Sequence, residues 1–138
     1  MRTALAAFSA ALLACGVAHA GEVLTDLPPS GEQSLGVGVG VICNTTEQAQ
    51  QYVQLRSGGA KVTPAMEKVN QAARDPRACG LAAIAFQRDK TVETTNLQGR
   101  LVSIVKVNVL AGYNGQQWTR IPAMEQYAIL ASAGGIEI

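Results

Sequence analysis

Cys43 and Cys79 constrain this chain more than any other pair of residues. They are the two cysteines that remain when the first twenty residues are set aside, and in an oxidising compartment such a pair in a small domain forms one disulfide. The bridge closes a loop with thirty-five residues inside it. Chain entropy alone makes that closure worth roughly 4 kcal/mol, a large share of the ~5–15 kcal/mol that holds a domain together. Redox-active pairs sit close together as Cys-x-x-Cys, and these two are far apart, so the bridge is read as structural. Zinc binding would need carboxylates to complete the ligand set, and no ligand spacing is present.

The N-terminus supplies the compartment. Arg2 gives a positive start, Ala4 to Leu13 form a short apolar run, and Ala18-His19-Ala20 is a small-x-small cleavage site that would leave Gly21 as the new N-terminus. The run is shorter than the ~20 residues that span a bilayer, and no second stretch in the chain is long enough. Leu12-Leu13-Ala14-Cys15-Gly16 offers a second route, in which Cys15 is lipidated and becomes the first residue. The bland alternative is an apolar N-terminus without targeting value. Either cut leaves Cys43 and Cys79 as the pair.

Cleavage after residue 20 leaves 118 of the 138 residues, enough for one domain. Arg2 leaves with the segment, so ten basic residues face ten acidic ones. That balance argues against nucleic acid and anionic membrane as partners, since both select a basic excess. His19, the one histidine, leaves too. Histidine-dependent nucleophiles, bases and metal sites are thereby excluded. Paired carboxylates remain available for acid–base work, but residues such as Glu47, Glu67, Asp75 and Asp89 lie in polar surroundings that do not raise a carboxyl pKa.

Along the chain, residues 21–34 hold Pro28-Pro29-Ser30-Gly31 and read as a flexible leader. In Leu35–Ile42 the glycines Gly36, Gly38 and Gly40 alternate with Val37, Val39 and Val41, predicting an irregular first strand or an extended arm. No phosphate-loop spacing is present. Thr45-Thr46-Glu47-Gln48 fits a capping box, which predicts a helix burying Ala49, Tyr52 and Val53 and stopping at Ser57-Gly58-Gly59. Asn44-Thr45-Thr46 is also a glycosylation sequon, and the capping role is preferred. Thr63 as cap and Pro64 at the first position predict a second helix, with Ala65, Val69 and Ala72 on one face and Arg74-Asp75-Pro76 ending it. The period then changes. Strands are predicted from Cys79 to Gln87, over Thr91 to Asn96, from Leu101 to Leu110, over Trp118 to Ile121 and over Gln126 to Leu130. Arg88-Asp89-Lys90, Gln98-Gly99 and Asn114-Gly115 are the predicted turns, and Pro122 a break or an edge. Residues 132–138 read as a loose tail.

This order predicts an α+β fold: two N-terminal helices packed on an antiparallel meander of four to five strands with one disulfide. The domain spans 35–131. Tyr113 and Trp118 flank the Asn-Gly turn, where they either pack across the hairpin or form a small recognition patch. Arg74, Arg77, Arg88 and Lys90 would gather at one end of the sheet if the turns fall as predicted, with Asp75 and Asp89 in local ion pairs.

Cys43-x-Thr-x-Glu-Gln-Ala49, Ala78-Cys79 before an apolar strand ending in Ala85-Phe86, a Val-rich strand, and Trp118, Pro122 and Tyr127 together resemble a group of small exported proteobacterial proteins of unknown function. The resemblance covers Ile42 to Leu130. It implies an exported bacterial domain and no activity. The expectation is therefore a non-catalytic periplasmic or envelope domain that binds an unknown protein or small ligand, without a cofactor. The competing expectations are an inhibitor of a secreted or host enzyme such as a lysozyme, a lipoprotein tethered through Cys15, and a carboxylate-dependent enzyme acting on a glycan.

Overall fold

The computed structural model describes residues 35–131. The signal features (Cys15, Ala18, Ala20 and Gly21 among them), the leader and the tail all lie outside those residues. Six elements follow one another: β1 (Leu35–Cys43), α1 (Thr46–Ser57), α2 (Val62–Ala73), β2 (Cys79–Leu97), β3 (Arg100–Tyr113) and β4 (Trp118–Ala131). The fold is α+β, and a strand precedes the helices. The glycine-rich stretch is no loose arm, because β1 pairs antiparallel with β2 along its whole length, from Leu35 opposite Gln87 to Cys43 opposite Cys79. The helices are an insertion between these two strands. β2, β3 and β4 then form an antiparallel meander. β4 returns to β1 through Ile42–Ala128 and Cys43–Tyr127, which closes a four-stranded barrel.

Local chemistry sets the helix ends. The Thr45 hydroxyl accepts from the Gln48 N–H, and the Gln48 side chain accepts from the Thr45 N–H, each at 3.2 Å. At the other end Gly59, with φ +95°, turns the chain so that Ala60 and Gly59 donate to the Leu55 and Arg56 carbonyls. α2 begins earlier than predicted. Lys61 is its N-cap and makes no side-chain cap bond. Thr63 is therefore inside the helix and Pro64 is its third residue, still in the first turn, where a missing N–H costs nothing. Ala72 faces solvent, and Val62 and Met66 join Ala65 and Val69 against the core instead.

The five strands predicted after the helices are three, because two predicted breaks are bulges, and β1 brings the total to four. Arg88-Asp89-Lys90 does not turn. β2 runs through it with register shifts on either side of Thr91. Likewise β4 runs through Pro122. Val109 pairs with Met124 while Ala111 pairs with Arg120, so three residues of β4 (Ile121 to Ala123) oppose Leu110 alone. Pro122 sits in that excess, where no ladder bond is asked of it. Both predicted hairpin dipeptides do turn the chain. Gln98 and Gly99 take φ values of +52° and +84°, the left-handed pair a two-residue hairpin needs. The Asn96 side chain accepts from the Gly99 N–H at 2.8 Å.

Two cores result, one on each face of the sheet. Val41, Cys43, Cys79, Leu97, Val102, Ile104 and Ile129 pack under Ala49, Tyr52, Val53, Ala65 and Val69 of the helices. Ile84, Phe86, Val105, Val107, Val109, Ala128 and Leu130 fill the other face. At Ile104 and Val105 β3 is buried on both faces, and beyond them the buried Val107 and Val109 alternate with the half-buried Lys106 and Asn108.

Gly36 is the glycine that packing requires. It lies opposite Phe86, and a Cβ there would come within 2.5 Å of the Phe86 ring. The ring is 2 % exposed and packed in the core with Ile84, Val107 and Val109, so moving it disturbs that packing. Gly36→Ala is expected to cost about 1–3 kcal/mol, the usual range for overpacking. Combining it with Phe86→Leu should cost less than the sum of the two single changes in urea denaturation. Strict additivity would show that the ring does not rest on this glycine.

Candidate functional site

The β3–β4 hairpin carries the predicted recognition residues. Gly115 turns the chain with φ +95°. Asn114 shapes the rest: its side-chain oxygen accepts from the Gln116 and Gln117 N–H groups, both at 2.9 Å, and its own N–H donates to the Gln117 carbonyl. The turn places Tyr113 directly opposite Trp118. Their ring centroids are 5.5 Å apart and the planes are tilted by 47°. This is the cross-strand packing anticipated for the pair, and it leaves Tyr113 43 % exposed. Asn114, Gly115, Gln116 and Gln117 are exposed as well. No charged residue lies between Lys106 and Arg120.

The opposite feature of the sequence, the cysteine pair, is a bonded cross-strand pair joining the last residue of β1 to the first of β2. Both residues are buried. Its surroundings are held by amides that sequence reasoning missed. The Asn70 side-chain oxygen accepts from the Cys79 N–H at 2.7 Å, and its NH2 donates to the Pro76 and Cys79 carbonyls at 3.1 Å. Asn44 donates to the Arg77 carbonyl at 3.1 Å, so its amide is engaged in the fold beside its sequon. An asparagine inside a helix is a weak sequence signal of such a bond, because its side chain competes for backbone groups. Asn70→Ala should leave the buried Cys79 backbone groups unpartnered and lower stability by about 1–3 kcal/mol. A urea midpoint equal to that of the unsubstituted protein would contradict this clamp.

The basic residues do not gather. Arg77 precedes β2, while Arg88 and Lys90 lie more than nine residues along the same strand, roughly 30 Å away. Asp89 pairs across the sheet rather than locally: the Lys106 ammonium lies 3.6 Å from Asp89 and 2.6 Å from Glu125. The hydrogen bond to Glu125, with the charges of Glu125 and Asp89, holds the Lys106 pKa above its ordinary value against the opposing effect of desolvation. Glu93 accepts from Gln50 at 2.9 Å, and Asp75 accepts from the Arg77 N–H at 2.8 Å. These carboxylates serve the fold. Among the described residues no group of three His, Cys, Asp or Glu side chains is placed to hold a metal ion. No described helix is long and apolar enough to cross a membrane.

Val37, Val39 and Leu81 expose about half their surface on the outer face of the β1–β2 pair. An open groove of about 510 Å³ borders Leu81 at the disulfide end and includes Asn44, Arg77, Met124 and Gln126. The aromatic hairpin tip is the feature best suited to recognition, since tyrosine and tryptophan give large rigid contact at small entropic cost while amides adapt their hydrogen bonds.

The chain matches no family model, no curated protein and no solved structure.

Proposed function

We propose that this chain is a non-catalytic, exported binding domain of a bacterial envelope, and that it recognises its ligand with the tip of the β3–β4 hairpin. The observation that carries the reading is the half-exposed Tyr113 beside Trp118 on an uncharged, amide-rich turn. The scaffold supports it: the tip is a turn already closed by its own hydrogen bonds on a disulfide-bonded barrel, and an ordered turn lowers the ordering cost of binding. Export is supported by the N-terminal signal features and is compatible with the disulfide, which persists in oxidising compartments. The resemblance to small exported proteobacterial proteins points the same way.

Retention on isolated envelope fractions tests the reading. The experiment uses a Cys15→Ala background, so that a lipid anchor cannot hold the protein there. The Cys15→Ala protein should be retained, and Tyr113→Ala should release it. Leu101→Ser, which changes an equally exposed apolar side chain elsewhere, should leave retention intact. Equal retention of all three proteins would remove the hairpin tip as the recognition element.

A further inference from the structure

Resting on that reading, we infer that the ligand of the hairpin tip is a neutral oligosaccharide. Charge makes the first selection. From Leu110 to Thr119 the chain carries no charge; of the two basic residues that flank this stretch, Lys106 is engaged by Asp89 and Glu125, and Arg120, opposite Ala111, is not free either. An ionic ligand bound here would lose hydration with no opposite charge on the turn to replace it.

The aromatic pair makes the second. At a 47° tilt the rings meet partly by an edge and are not stacked face to face. Tyr113 keeps 43 % of its surface exposed beside Trp118, so part of its ring is open to an outside group. The C–H-bearing face of a sugar is apolar and flat enough to lie on such a ring, while its rim is polar. Aromatic side chains with one polar end suit contacts of that mixed kind.

The amides make the third. Asn114 spends its oxygen inside the turn, while Gln116 and Gln117, between the turn and Trp118, are exposed. Each glutamine amide offers two donors and an acceptor. Sugar hydroxyls also donate and accept, so both kinds of amide atom find partners on one ligand. The scale agrees as well. A standard protein interface buries about 800 Å² on each side, more than a single hairpin tip presents, whereas two or three sugar rings cover no more than the tip.

Trp118 is the one tryptophan in the chain, so its emission reports the tip directly. The full chain, recovered after export, is titrated to millimolar concentration with cellotetraose, chitotetraose and maltotetraose, and with tetragalacturonate as the anionic control. The expected result is a saturable shift of Trp118 emission with at least one neutral tetrasaccharide and none with the anionic one. Gln117→Ala, on an exposed residue outside the barrel core, should weaken that binding by about tenfold, the factor that corresponds to 1.4 kcal/mol. Tyr113→Ala should weaken it further, with the melting temperature of both variants measured as the check on folding. No shift with any neutral sugar overturns the inference. If Tyr113→Ala nevertheless abolishes envelope retention, the tip binds something else and the broader reading stands. If retention also survives, both fall.

Discussion

Proline at position 105 is expected to abolish the folded state. Val105 lies in the middle of β3, opposite Thr91 of β2 and Ala128 of β4, and is 1 % exposed in the inner core. Proline removes a ladder donor, leaves a buried carbonyl without its partner and fixes φ near −65°, where an antiparallel strand needs about −140°. An unpartnered buried group alone costs about 1–3 kcal/mol. With the strain added, the total approaches the ~5–15 kcal/mol that stabilises a typical domain. Successive strand residues direct their N–H groups to opposite neighbours, so Ile104→Pro, which breaks the ladder on the other side, should be as damaging. Val105→Ala keeps the N–H and should retain a cooperative thermal transition. A folded Val105→Pro protein by circular dichroism would show that β3 is not held by its neighbours on both sides at this position.

Breaking the Cys43–Cys79 bridge should be the second largest single effect. The bonded residues are 36 positions apart, and the loop-closure model assigns such a cross-link roughly 4 kcal/mol, within the 2–5 kcal/mol usually lost when a small secreted domain is deprived of one. The structure explains why that loop is worth closing. Both helices lie inside it, and Cys43 and Cys79 face each other where the chain leaves β1 and enters β2. Cys43 also pairs with Tyr127 at the point where β4 closes the barrel. In the reduced protein the strand pairing must hold the two ends of the helical insertion together unaided. The double change to alanine should lower the urea midpoint substantially without altering the slope by more than the compactness of the unfolded chain requires. The single change Cys43→Ala should in addition leave Cys79 open to alkylation once the protein unfolds. An unchanged midpoint would mean that the barrel closes by itself.

The features legible in the chain alone are those that depend on a few adjacent residues. The capping box of Thr45 and Gln48, the helix stop at Gly59 and the turns at Gln98-Gly99 and Asn114-Gly115 are decided by bonds and φ preferences within four or five positions. The disulfide followed from counting cysteines, and the facing of Tyr113 and Trp118 from the turn between them. What those pieces do together depends on contacts between distant strands. Arg88-Asp89-Lys90 looks like a turn until Lys106 of β3 is seen beside Asp89, where the pairing of a long neighbouring strand carries the chain straight through. Pro122 looks like an end until the surplus residues of β4 opposite Leu110 relieve it of a ladder bond. Gly36 looks like looseness until the Phe86 ring occupies the space a side chain would take. Each of these depends on a residue ten or more positions away. Local propensity is a property of the chain, but a bulge, a closed barrel and a ring seated on a glycine are properties of which strands meet.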